Sequence, residues 1–172
     1  FGAGPEILVG AGEAGWGRGL RFGVCFYLPL PILTKEGVCG TRYSEVGVRI
    51  LVTGANGMLG RDLVPALAAA GHEATGATRA AFDVTDRDET LRAIGEAAPD
   101  LVVHAAAYTR VDEAEREPER AFAVNHGGTR NVADACGARG AKLVYVSTDY
   151  VFDGTARAPY TETDPTNPHS VY

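Results

Sequence analysis

From Val48 onward the apolar positions repeat in a regular way. Val48-Arg49-Ile50-Leu51-Val52-Thr53 is a short β-rich run closed by Gly54, which reads as a strand buried in a parallel sheet. Leu59, Leu63 and Leu67 then recur at helical spacing, so a helix is expected from Met58 to Ala70, stopped at Gly71. Pro65 lies inside it and predicts a local kink. Glu73 to Thr78 is a weaker second strand. Thr85 or Asp86 can cap a second helix that runs to Ala98 and ends at Pro99. Leu101 to Ala105 is a third strand, and Glu119 to Arg139 a longer third helix with Pro118 suited to its first turn. Lys142 to Ser147 is a fourth strand. Strict alternation of strand and helix predicts right-handed parallel crossovers and an α/β, doubly wound parallel sheet, truncated after its fourth strand. Ligands of such sheets lie beyond the carboxyl ends of the strands. The residues just after each strand are therefore the candidates for function.

Residues 1–47 break this pattern. They hold 11 of the 22 glycines and balance four acids against four bases, so the whole net charge of −6 belongs to residues 48–172. The shift sets a boundary near Gly47. One stretch, Gly10-Ala11-Gly12-Glu13-Ala14-Gly15 after Ile7-Leu8-Val9, spells a phosphate-binding G-x-G-x-x-G. That fingerprint works only when a helix opens directly behind it. Here Gly17, Gly19 and Gly23 follow, then Pro29 and Pro31. Each glycine costs a helix about 1 kcal/mol and each interior proline about 3 kcal/mol, so the site is rejected. The segment is expected to be a poorly ordered or non-native extension of unknown role. The chain starts at Phe1 and stops at Tyr172 in the middle of a motif, and it reads as a fragment.

Composition narrows the classes. A hydrophobic share of 45% and a charged share of 22% are those of a soluble globular protein. The negative charge argues against nucleic acid or an anionic membrane as partner. The most apolar stretch, Phe22 to Leu33, is broken by its prolines and does not read as a membrane span. Cys25, Cys39 and Cys136 are an odd set without zinc-like spacing, which suggests reduced thiols and a cytoplasmic protein. Cys136, inside a predicted helix, reads as a small buried apolar residue. No metal site is expected.

The strand ends carry the candidate chemistry. Gly54-Ala55-Asn56-Gly57-Met58-Leu59-Gly60 places glycines as G-x-x-G-x-x-G between a strand and a helix, the arrangement of an NAD(P)-binding Rossmann fold. Gly54 permits a tight turn, Gly57 lets backbone approach a pyrophosphate, and Gly60 lets helix pack on strand. After the second strand an NAD binder usually has an acid for the ribose; Thr78-Arg79 stands here instead. A guanidinium at Arg79 can take a 2′-phosphate, or it can be a solvated surface arginine. Asp83-Val84 can meet adenine, or Asp83 can start a helix. Ala105, Ala106 and Ala107 leave room for a cofactor or for close helix packing. Asn125 is a mediocre helix former inside the third helix and can bond backbone or water near the site. Ser147 and Thr148 are hydroxyls at the last strand end, where such residues also serve as caps.

Together these residues resemble the extended short-chain dehydrogenase/reductase superfamily, and more narrowly its dTDP-4-dehydrorhamnose reductase family. The resemblance covers Val48 to Tyr172. It rests on the runs Ala105-Ala106-Ala107-Tyr108-Thr109-Arg110-Val111-Asp112-Glu113-Ala114-Glu115 and Ser147-Thr148-Asp149-Tyr150-Val151-Phe152-Asp153-Gly154, and on Tyr160 to Asp164 followed by Pro168 and Tyr172. It implies reduction of the 4-keto group of dTDP-4-dehydro-6-deoxy-L-mannose to dTDP-L-rhamnose with NADPH or NADH. It implies that Gly57, Met58 and Leu59 touch the pyrophosphate, Asp83 and Val84 the adenine, and Ala105 to Ala107 the cofactor. Thr148 and Asp149 would meet substrate, with Thr148 near the reacting oxygen, and Tyr172 would donate the proton. The partner implied is a nucleotide sugar, and a homodimer of the full-length protein is compatible with it. The family's lysine four residues beyond the tyrosine and its later strands lie past Tyr172, so residues 1–172 alone are expected to turn over little or not at all. Two other readings stay open: an NAD-dependent sugar-nucleotide epimerase or dehydratase, and a non-catalytic cofactor-binding subunit resembling the regulatory subunit of methionine adenosyltransferase.

Overall fold

The computed structural model describes residues 47–172 and, ahead of them, two short strands, β1 (Leu8–Gly10) and β2 (Val24–Tyr27). Strand β3 (Arg49–Thr53) leads through a glycine turn into helix α1 (Met58–Ala69), and β4 (Glu73–Ala77) leads into α2 (Arg87–Ala97). Strand β5 (Leu101–His104) is followed by the one-turn helix α3 (Val111–Ala114). Next come α4 (Pro118–Phe122), a π-helical segment over Ala123–Gly128 and α5 (Thr129–Arg139). Strand β6 (Lys142–Val146) ends in a 3₁₀ turn at Asp149–Val151.

Four strands are parallel, in the order β4-β3-β5-β6, which is the doubly wound sheet that the alternation predicted. The pleat explains the two layers. Leu51, Val102 and Leu143 face Ile94 of α2 and Val132, Ala135 and Cys136 of α5. Ile50, Val52 and Val103 point the other way, toward Leu63, Val64 and Leu67 of α1. Cys136 is a buried free thiol, as expected, and burial pushes its pKa up to about 11. Among the described residues strand β4 pairs with β3 alone and is largely exposed, in keeping with its weak sequence signal.

Three features differ from the pattern reading. Strand β2 pairs antiparallel with β6, with β1 beyond it, so among the described residues the sheet has six strands. The rest of residues 1–47, with the expected extension and most of the rejected glycine run, lies outside the described residues. Helix α3 is a single turn, too short for apolar periodicity to mark it in the sequence. The long third helix begins at Pro118 and is not uniformly α-helical: its π segment holds Asn125. Among the described residues, no helix is long and apolar enough to cross a membrane.

Candidate active site

A cleft of about 1060 Å³ opens over the carboxyl ends of β3, β4, β5 and β6. It lies where the chain order reverses, since β4 flanks β3 on one side and β5 on the other. Its floor is the turn after β3. Gly54 has φ +68°, and a Cβ there would sit 2.7 Å from the Ala106 nitrogen. Only glycine lets the ends of β3 and β5 approach this closely. The Gly57 N–H donates to the Gly54 carbonyl at 2.9 Å, and the Ala55 N–H donates to Ala77 at 3.0 Å, tying the turn to β4. A Cβ on Gly60 would lie 2.5 Å from the Gly54 oxygen. Its role is thus to pack α1 on the turn rather than on the strand.

The helix starts that follow β3 and β4 are built differently. Helix α2 is capped by Asp86, which accepts from the Glu89 N–H at 2.9 Å, and carries Asp88 and Glu89 in its first turn. Helix α1 starts at Gly57 with no side-chain cap and no acid in its first turn. The N–H groups at Met58 and Leu59 therefore keep an unneutralised positive end aimed into the cleft. Such an end suits a diphosphate, so these residues fit the group that the glycine spacing suggested. Asn56, Met58 and Leu59 are exposed along the same wall.

At the end of β4, Arg79 and Asp83 both line the cleft. Arg79 pairs with Asp83 at 2.8 Å while its side chain stays 75% exposed. The other Asp83 oxygen accepts from the N–H and the hydroxyl of Thr85. These hydrogen bonds, with Arg79 beside them, hold the Asp83 carboxyl below the ordinary carboxylate range. The helix cap is Asp86, so Asp83 does not start α2. Val84 lines the cleft and is packed from behind by Gly128, where a Cβ would come within 2.8 Å of it.

Ala105, Ala106 and Ala107 line the middle of the cleft beyond β5. Beneath them His104 is fully buried and shares a hydrogen bond of 2.7 Å with the Thr53 hydroxyl. The Thr53 oxygen also accepts from the Ala106 N–H at 3.4 Å, and His104 Nε2 lies 3.2 Å from the Thr129 hydroxyl. All these groups are satisfied when Thr53 donates to Nδ1 and Nε2–H donates to Thr129. Burial pushes the His104 pKa down to about 4, so the ring is neutral. By its place in an apolar run His104 is only a strand residue. The signal was a lone polar ring ending an apolar run.

On the far side stand Ser147, Thr148, Asp149 and Tyr172. The Thr148 hydroxyl accepts from the Tyr150 N–H at 3.2 Å and donates to Asp149 at 3.3 Å. Tyr172 meets Tyr150 edge-on, with ring centroids 5.6 Å apart. Burial, with Tyr145, Asp149 and Tyr150 adding to it, raises the pKa of the Tyr172 phenol. It is protonated at neutral pH. Asp153, part of the same sequence run, serves elsewhere: it accepts from Tyr160, Thr155 and Asn167 and so knits the following loop. Those donors hold its pKa far below the usual carboxylate range.

The expected candidates thus line one cleft: Gly54, Asn56, Gly57, Met58, Leu59, Gly60, Arg79, Asp83, Val84, Ala105, Ala106, Ala107, Thr148, Asp149 and Tyr172. A family model described as the RmlD substrate binding domain matches residues 48–172. The chain is 51% identical over 124 residues to dTDP-4-dehydrorhamnose reductase of Streptomyces griseus, covering 72% of this chain and 41% of that relative. Among solved structures, dTDP-4-dehydrorhamnose reductase of Bacillus anthracis in complex with NADP is 39% identical with a TM-score of 0.71, over 73% of this chain and 45% of that one. UDP-glucose 4-epimerase of Thermus thermophilus in complex with NAD is 32% identical with a TM-score of 0.63, over 72% and 46% of the two chains.

Proposed function

Because the chain belongs to the RmlD substrate binding domain family, we propose that it is the cofactor-binding front part of a cytoplasmic NADPH-dependent oxidoreductase that reduces the 4-keto group of dTDP-4-dehydro-6-deoxy-L-mannose to dTDP-L-rhamnose. The chain spans 41% of the Streptomyces griseus reductase it resembles, so the activity is that of the parent protein. The observation that carries this reading is the cleft: an uncapped helix start, an arginine at the β4 end and a protonated phenol share one wall-to-wall space.

The residues divide the work. The N–H groups at Met58 and Leu59 hold the diphosphate, with Asn56 and the close backbone of Gly57 beside them, while Gly54 and Gly60 shape the turn. Arg79 takes the ribose 2′-phosphate, and Asp83 and Val84 flank the adenine. Ala105 to Ala107 leave the passage along the sheet top open. Bound NADPH supplies the hydride. Thr148 stabilises the developing alkoxide, Asp149 contacts the sugar, and the Tyr172 hydroxyl delivers the proton to the oxygen. Burial raises the pKa of this phenol, so Tyr172 holds the proton that it delivers.

The test is product analysis with the parent protein, the 4-keto sugar nucleotide and NADPH. Expected are dTDP-L-rhamnose and a rate at least about a hundredfold lower in Tyr172→Phe, with NADPH affinity kept. Epimerisation of a nucleotide sugar with retained NAD would instead favour the second reading, which the likeness to the Thermus thermophilus epimerase supports.

A further inference from the structure

We propose that Glu115 is a positioning residue for Tyr172, acting through the backbone of Val171; this rests on Tyr172 being the proton donor. Between Val151 and Tyr172 the chain has no helix or strand. Its position is set by discrete ties. The Asn167 N–H donates to the Val151 carbonyl at 2.9 Å, and the Asp153 carboxylate gathers the loop around Tyr160. The last tie before Tyr172 is the Val171 N–H, which donates to Glu115 Oε1 at 2.8 Å across 56 residues of sequence.

Glu115 is itself well placed to hold. It ends α3, whose Ala114 is fully buried among Tyr108, Ala121, Val124, Val171 and Tyr172. The neighbouring acids Glu113 and Glu117 are paired with Arg110 and Arg120. Glu115 forms no such pair among the described residues, so its carboxylate is free to accept from backbone. A bond from a carboxylate to an N–H is about twice as strong as a neutral one. Apolar contact with this cluster sets the distance of the segment from α3, and the Glu115 bond fixes its rotation. Together they aim the phenol into the cleft. A side chain in the motif after β5 thus orients a residue presented beyond β6.

The experiment compares the full-length wild type with Glu115→Ala and Glu115→Gln, measuring the Kd for NADPH by titration together with kcat and KM for the keto-sugar nucleotide. Glutamine keeps an oxygen that can accept from Val171. Expected is a kcat about tenfold lower in Glu115→Ala, NADPH affinity within about twofold of wild type, and recovery of most of the rate in Glu115→Gln. An unchanged kcat in Glu115→Ala, a Gln variant as impaired as the Ala variant, or a parallel loss of NADPH affinity would each overturn the assignment. A wild type that neither binds NADPH nor reduces the substrate would overturn the functional reading and this inference with it.

Discussion

The side chain of Asn125 closes a two-bond ring on the backbone of Tyr108: its oxygen accepts from the Tyr108 N–H at 2.7 Å, and its Nδ2 donates to the Tyr108 carbonyl at 3.0 Å. Asn125 reaches that strip because it sits in the π-helical segment, whose wider turn displaces it from a regular helical face. The strip it holds follows Ala105 to Ala107 and borders the cleft. Asn125→Ala leaves a donor and an acceptor without partners and should destabilise the fold by about 2 kcal/mol. Asn125→Asp keeps the acceptor but sets a carboxylate against the Tyr108 carbonyl, and should recover little. Urea unfolding midpoints check both; a midpoint unchanged in Asn125→Ala would refute the assignment.

His104 makes stability depend on pH. Its pKa falls from about 6.5 in the unfolded chain to about 4 in the fold. Above the unfolded value the ring is neutral in both states and nothing is lost. As pH drops toward the folded value only the unfolded chain gains the proton, so stability declines by up to about 3 kcal/mol across this window. Urea midpoints at neutral pH and at acid pH should therefore diverge less in His104→Asn than in the wild type. Equal acid sensitivity in the two proteins would show that the buried ring is not the cause.

Gly54→Ala should be among the most damaging single changes. The added methyl would require a positive φ and would meet backbone at Ala105 and Ala106, which cannot swing away. A loss of about 3 kcal/mol or more is expected, together with loss of coenzyme binding. Gly71→Ala is the control, since its φ is also positive but nothing lies within 4 Å. Thermal unfolding of the two variants should separate them clearly.

Arg79→Ala should weaken NADPH binding by the parent protein by about tenfold while leaving NADH nearly untouched. Arg79 lines the cleft with its side chain mostly exposed, and its tie to Asp83 fixes the direction of the guanidinium. Fluorescence titration with the two coenzymes decides the point. Equal losses would mean that Arg79 is a surface arginine paired only with Asp83.

The sequence by itself determined the parallel strands, the first two helices and the glycine turn, because each is encoded over a few neighbouring residues. Ile50, Leu51 and Val52 announce a buried strand, Thr85 or Asp86 a cap, and Gly54 a tight turn. It also marked many of the cleft residues by their strand-end position, because in a doubly wound sheet the strand ends must converge, whereas Asp149 and Tyr172 were implied by the family resemblance. What it left open depends on partners far along the chain. His104 is only a polar residue in a strand until Thr53 and Thr129 stand beside it, and Asn125 only a poor helix former until Tyr108 is in reach. Glu115 was one letter in a motif until the fold brought Val171 to it. Such roles follow from the packing of whole elements, which local propensity and spacing do not encode; only the tertiary structure decided them.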